Sequence, residues 1–222
     1  MKAIKQSFKI LSPSTPERAL ETLRLIEYAG RNCYRSHDKI TNDSWRKFLC
    51  GLIKRGHEAP VEFGDAMVEL TVGRDVLAEI TRHRLPSFCV QSQRYVEDDK
   101  TGDISFIQPD FYLPAEGPDL DAKHWCASRG WDAAMENAET YYRYLRHECS
   151  VKPEDARKVL PNSTACIIVM KANLREWRHI FQLRTSNAAY PEMRSIMRPL
   201  LAEFQKLFPA IFDDITWEGK NA

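Results

Sequence analysis

Read as apolar and polar positions, the chain switches between the two-residue repeat of strands and the three-to-four-residue repeat of helices. Residues 2–11 (KAIKQSFKIL) read as a short strand. SPSTP follows and opens a helix, with Thr15 as cap, Pro16 in the first turn, and Leu20, Leu23 and Ile26 on the apolar stripe. The clearest helix begins near 41–43, where Trp45, Phe48, Leu49, Leu52 and Ile53 keep the i, i+3, i+4, i+7, i+8 spacing until Gly56 stops it. In MVELTV (67–72), Val68, Leu70 and Val72 alternate with Glu69 and Thr71, which predicts a strand with one buried face. Asp75 is expected to cap a short helix over 75–84 with Val76, Leu77 and Ile80 inward. Leu85–Pro86 ends it, so Arg82, His83 and Arg84 fall on its last turn.

SFIQP (105–109) reads as a further strand, and 118–149 as mostly helical with a weak point at Gly130. The apolar, partly β-branched run ACIIVM (165–170) suits a central strand. Two helices close the chain, 174–184 and 191–208, the second opened by Pro191. Strands and helices mix without regular alternation. The expectation is therefore an α+β fold: a mixed or antiparallel central sheet flanked by helices, as a single domain over 1–222 with a helical elaboration at about 118–158.

Charge narrows the partners. There are 32 Lys+Arg against 31 Asp+Glu, a formal net charge of +1, too balanced for a general polyanion binder; nucleic acid is not expected. The six cysteines, at 33, 50, 89, 126, 149 and 166, form no close pair, and the N-terminus shows no signal-peptide pattern. These features point to a reducing cytoplasm. No apolar run approaches the roughly 20 residues of a membrane span. Metal catalysis is not expected either: HEAPV (57–61) lacks the second histidine of an H-E-x-x-H helix, and HEC (147–149) has no evident third ligand.

Against this balanced background one stretch stands out. RHRLPSFCVQSQRY (82–95) carries three arginines and a histidine with no carboxylate. Basic residues at a helix end could simply complement its dipole, worth about 0.3–1 kcal/mol. Here Ser87, Gln91, Ser92, Gln93 and Arg94 follow, so guanidinium forks, hydroxyls and amides crowd one short span, the chemistry of a phosphorylated ligand. Cys89 lies among the arginines, but a thiol's position alone is weak evidence for a nucleophile. Ser92 has no histidine or lysine base at a fixed spacing, so binding suits it better than attack.

The same stretch, R-H-R, seven residues, then S-x-R-Y, resembles the signature of the flavin-dependent thymidylate synthases. Four further segments resemble that family in the same order: AGRNCY (29–34), GHEAPVEF (56–63), ARKVLP (156–161) and NLREWRHIFQLR (173–184). The resemblance implies reductive methylation of dUMP to dTMP with FAD, methylenetetrahydrofolate and NADPH or another NAD(P)H donor, in a homotetramer. By the same resemblance Arg82, His83, Arg84, Asn173, Arg175 and His179 contact FAD, with His57 near the flavin; a solvated loop histidine is the alternative for His57. Ser92, Gln93, Arg94 and Arg157 hold dUMP, Arg82 reaches it as well, and Glu79 faces it, unless Glu79 only pairs with Arg82 along the helix. Arg184, with Ser92, sits at the catalytic position, where its fixed charge stabilises the N3-ionised base. Departures from the family pattern are Ala59, Phe63, Cys89, Ala188 and Tyr190.

Overall fold

A computed structural model describes residues 1–94, 102, 104–112 and 122–217. Tyr95 and the expected helix start at 118 lie outside the described residues. The elements run β1 (Lys2–Ile4), β2 (Ser7–Ser12), α1 (Pro16–Cys33), α2 (Ser44–Lys54), β3 (Asp65–Gly73), α3 (Arg74–Ile80), β4 (Ser87–Val90), β5 (Ser105–Ile107), α4 (Ala122–Arg143), α5 (Pro153–Ala156), β6 (Ala165–Asn173), α6 (Leu174–Arg184) and α7 (Pro191–Leu207). An antiparallel four-stranded sheet has the order β2-β3-β6-β4. A parallel pair joins β1 to β5, Lys2 opposite Ser105 and Ile4 opposite Ile107. The fold is α+β, as the irregular mixing of elements implied. No helix among the described residues is long and apolar enough to cross a membrane.

The chain divides into two compact units, each assembled from three sequence segments. Met1–Ser7, Thr71–Arg82 and Cys89–Ile168 make the first. Its core gathers Ile104, Phe106, Trp131, Met135, Tyr142 and Ala156. Phe8–Leu70, His83–Phe88 and Val169–Ala222 make the second. Its α6 buries Leu174, Trp177, Ile180 and Phe181, and Trp177, Phe181, Phe204, Phe208 and Phe212 interlock with ring centroids 5.0 to 6.1 Å apart. Edge and tilted contacts of this kind add to what the buried area contributes.

Several expectations are met residue by residue. Thr15 accepts from Arg18 N–H at the start of α1, and Gly56, at φ +70°, follows the end of α2 in the left-handed conformation that glycine tolerates best. Others are corrected. The single strand 2–11 is two, β1 and β2. Gly130 does not interrupt α4, which runs on to a π-helical turn over Tyr144–Glu148. Gly73 is the N-cap of α3, and Asp75 lies inside the helix with Oδ1 accepting from Val76 N–H at 2.8 Å.

The helix α3 also ends sooner than expected. The Thr81 hydroxyl donates to the Leu77 carbonyl at 2.9 Å, and Thr81 N–H bonds back to the last turn as C-cap. Arg82, His83 and Arg84 therefore stand beyond the helix, followed by the edge strand β4 where the sequence suggested only a turn. They follow the C-cap directly instead of occupying the last turn.

Candidate functional site

In the second unit, β6 runs directly into α6. Asn173 is the last residue of the strand and the N-cap of the helix, its Oδ1 accepting from Glu176 N–H at 2.8 Å. Leu174 N–H donates to the Gly64 carbonyl at 2.9 Å, and a Cβ on Gly64 would come within 2.7 Å of Ile26 Cδ1. The start of α6 is thus seated against Gly64, where a larger residue would have to push aside the ends of the Ile26, Thr22 and Leu174 side chains.

Positions 176, 179 and 182 follow at helical spacing, and a cleft of about 590 Å³ opens beside the helix. Glu58, Glu62, Leu85, Asn173, Arg175, Glu176, His179 and Gln182 line it. Arg175 donates to Glu62 at 2.6 Å, and Glu58 lies 4.0 Å from the same guanidinium. Arg178, buried one turn after Leu174, holds Glu58 from the other side at 3.2 Å and binds both carboxylate oxygens of Asp214 at 2.6 and 2.8 Å. It also donates to the Ile211 carbonyl. Burial alone would lower the pKa of Arg178; the hydrogen bonds and charges of Asp214 and Glu58 together raise it.

His83 is the pivot of this unit. It is 7% exposed, its Nε2 accepts from Arg184 Nε–H at 3.0 Å, its Nδ1 lies 3.4 Å from Glu176 Oε1, and its ring meets His179 edge-on at 5.8 Å. Burial first, then the charges of Arg184 and His179, lower its pKa from 6.5 to about 4. Glu176 is pushed the other way, its pKa raised by burial against a smaller opposing effect from His179. The His83–Glu176 contact, at 3.4 Å, therefore sets a carboxyl group beside a neutral imidazole and is not an ion pair. Since Nε2 accepts, the proton sits on Nδ1, facing Glu176.

The first unit holds the other expected residues. Arg82 is 74% exposed along its side chain and lies 3.9 Å from Glu79, one helical turn earlier. After β4, Gln91 N–H donates to the Ile167 carbonyl at 2.8 Å and Ser92 Oγ accepts from Arg94 N–H at 3.2 Å, which forms the turn. Gln93 is buried, its Oε1 accepting from the Arg74 guanidinium. Arg94 Nε donates to Glu154 Oε2 at 2.7 Å, while Arg157 Nε donates to the Glu154 carbonyl at 3.1 Å. Two guanidiniums far apart in sequence thus meet at one residue.

The structure brings together Asn173, Arg175 and His179 around the cleft, and separately joins His83 to Arg184. Arg84 is exposed, and His57 is not among the cleft residues; its Nδ1 instead lies 3.2 Å from Tyr34 Oη. Sequence reasoning missed Glu176 and Arg178. The signal was present for Arg178, which takes a place in the stripe Leu174, Trp177, Phe181 where an apolar residue is expected; a charge there needs buried partners.

The family model described as thymidylate synthase complementing protein matches residues 17–210. A probable flavin-dependent thymidylate synthase of Mycobacterium phage D29 is 34% identical over 204 residues, covering 87% of this chain and 83% of the relative. A flavin-dependent thymidylate synthase of Corynebacterium aurimucosum is 31% identical over 204 residues, covering 89% and 82%. Among solved structures, the UMP/dUMP methylase PolB from Streptomyces cacaoi, bound with 5-Br dUMP, matches with a TM-score of 0.77 at 22% identity over 96% of each chain, a likeness of fold. With the family matched over most of its length and relatives above 30% identity, this chain belongs to the flavin-dependent thymidylate synthases.

Proposed function

We propose that the chain methylates dUMP to dTMP reductively in the cytoplasm, as a homotetramer, with methylenetetrahydrofolate as carbon donor, NAD(P)H as hydride source and FAD as resident cofactor. One observation carries the reading: Arg184, a guanidinium that stays charged at neutral pH, is held through Nε by a buried imidazole that stays uncharged. A guanidinium fixed in this way stabilises negative charge on a pyrimidine ionised at N3 without having to reorganise. Charge pushed from N3 towards C5 makes that carbon the nucleophile, so no enzyme thiol is needed. Arg94 and Arg157 offer two cationic forks to the phosphate, and Ser92, Gln93, Glu79 and Arg82 contribute the remaining contacts of the nucleotide.

The cleft residues fit a flavin. At about 590 Å³ the cleft lies within the range of small-molecule sites, and Arg175, His179 and the Asn173 amide are hydrogen-bond donors suited to ring carbonyls and phosphates. By the family resemblance His83, Arg84 and His57 belong to the same cofactor from outside the cleft lining, His83 through its ring because both of its nitrogens face protein groups. When bound, FAD supplies the hydride that reduces the transferred carbon. The protein's part is to hold, orient and shield.

The test is spectroscopic. Purified protein should show a flavin spectrum that NADPH bleaches anaerobically, and that recovers, with dTMP formed, only when dUMP and methylenetetrahydrofolate are both added. Bleaching without dTMP would leave a flavin reductase and defeat the methylation reading. Light scattering that gives the mass of one chain would remove the tetramer, and mixed Arg84→Ala and Arg184→Ala chains that recover no activity would argue for sites contained in one subunit.

A further inference from the structure

The geometry points to Glu176 as the positioning residue for Arg184: its carboxylate accepts the Nδ1 proton of His83, which leaves His83 Nε2 as the acceptor that holds the Arg184 guanidinium. This rests on the proposed role of Arg184 at the pyrimidine and deepens it by naming what aims the cation.

Imidazole chemistry sets the first limit. A neutral ring has one donor nitrogen and one acceptor nitrogen, and only the acceptor can receive a proton from a guanidinium, which has donors alone. Arg184 Nε lies 3.0 Å from Nε2, so the productive tautomer carries its proton on Nδ1. Left to itself a neutral imidazole divides between both tautomers, and the Nε2–H form would set two donors against each other. Something must accept at Nδ1. The group beside it is Glu176 Oε1, at 3.4 Å.

Glu176 is placed for this by the backbone and not by chance. Its own N–H is tied to Asn173 Oδ1 in the first turn of α6, and the residue is 6% exposed. Arg184 lies eight residues on, at the other end of the same helix. One rigid element therefore presents both the carboxylate and the guanidinium, and His83 spans them. A carboxylate buried this deeply costs stability unless it is used, since an apolar side chain of similar size would pack more cheaply. Glu176 also lines the cleft, so its carboxylate lies at the wall assigned to the flavin while the other end of the chain of hydrogen bonds reaches the guanidinium. Carboxylates that orient a working imidazole through its second nitrogen typically matter by roughly 10–100-fold where they support metal ligands, and a comparable effect is expected here.

Two substitutions and one spectrum test it. Glu176→Gln keeps an oxygen acceptor for Nδ1–H, and Glu176→Leu removes it while relieving a buried carboxylate. The Gln variant should form dTMP within about threefold of the parent kcat. The Leu variant should lose roughly 10–100-fold in kcat with little change in KM for dUMP, and with a Tm equal to or above the parent's. Nitrogen-15 NMR of histidine-labelled protein, with His83 assigned by comparison with His83→Gln, should show the Nδ1–H tautomer in the parent and the Gln variant and a tautomer mixture in the Leu variant. Full activity in the Leu variant overturns the inference, as does equal loss in both variants, which would mean that the negative charge matters and not the acceptor. If Glu176→Leu does not fold, an Nε2–H tautomer in the parent overturns it unaided. If the parent makes no dTMP, the methylation reading fails, while the tautomer measurement still decides whether Glu176 sets the ring.

Discussion

Arg184 and Arg94 are both guanidiniums that the proposed function gives to the nucleotide, and each is held within its own unit in the opposite way. Arg184 is anchored by a buried, uncharged histidine that is itself anchored by a buried carboxyl group. Arg94 is 58% exposed along its side chain and paired with Glu154, itself 35% exposed. The first cation is half-buried against these groups, where a fixed charge acts more strongly than in open solvent and must be aimed beforehand. The second sits in solvent, where an ion pair contributes about 0–1 kcal/mol and exchanges readily. A carboxylate on Arg94 can give way to a phosphate at little cost. Nothing comparable could displace His83 from Arg184. The buried arrangement suits the reacting ring, and the solvated one suits capture.

This contrast can be broken or sharpened by substitution. The largest effect should come from Arg178→Ala, which takes a buried donor from Glu58, from the Ile211 carbonyl and from the half-exposed Asp214; urea denaturation should show a loss of about 3–5 kcal/mol. A loss below about 1 kcal/mol would mean that burial in this unit does not raise the stakes of its charges. Next comes Arg184→Ala, expected to lower kcat roughly 10²–10³-fold, whereas an effect confined to KM would place Arg184 with the capturing residues.

A third effect concerns pH. Unfolded, His83 binds its proton near 6.5; folded, only near 4. Between those values the unfolded chain holds more protons, so His83 makes the protein lose stability as pH falls from 6.5 towards 4, by on the order of 3 kcal/mol. Glu176 opposes this at the acidic end, because its raised pKa lets the folded form take up a proton first. Urea midpoints across the window should fall more steeply for the parent than for His83→Gln, and parallel curves would contradict a neutral His83. The smallest effects belong to the solvated pair. Arg94→Ala should raise KM for dUMP about tenfold with kcat nearly unchanged. Glu154→Gln, which removes the competing carboxylate, should lower KM by at most about fivefold, the equivalent of about 1 kcal/mol.

How legible this was in the sequence depended on what kind of constraint each residue answers to. Alternation in MVELTV gave the inward face of β3 correctly, because strand packing is a local period: Val68, Leu70 and Val72 are all buried. ACIIVM gave a strand but concealed its asymmetry, since Ile167 is apolar and 43% exposed. Gly130 carried a helix penalty of about 1 kcal/mol, which the packing of Trp131, Met135 and Tyr142 on the same helix outweighs. The end of α3 came at Thr81, whose N–H closes the last turn on the Leu77 carbonyl; no glycine or proline marks that position, so periodicity ran the helix on to Leu85–Pro86. At the candidate site, composition and resemblance reached the arginines and His83. They did not reach Glu176, because the need for it arises from which ring nitrogen accepts from Arg184, a fact of three dimensions.

Because Asn173 both closes β6 and caps α6, the junction has no slack residue to absorb an error of length. Adding or deleting one amino acid there would turn every later side chain of the helix by about 100°. Natural or engineered length changes should therefore be found in the connecting loops, and the hinge between strand and helix behaves like a key cut to a single depth.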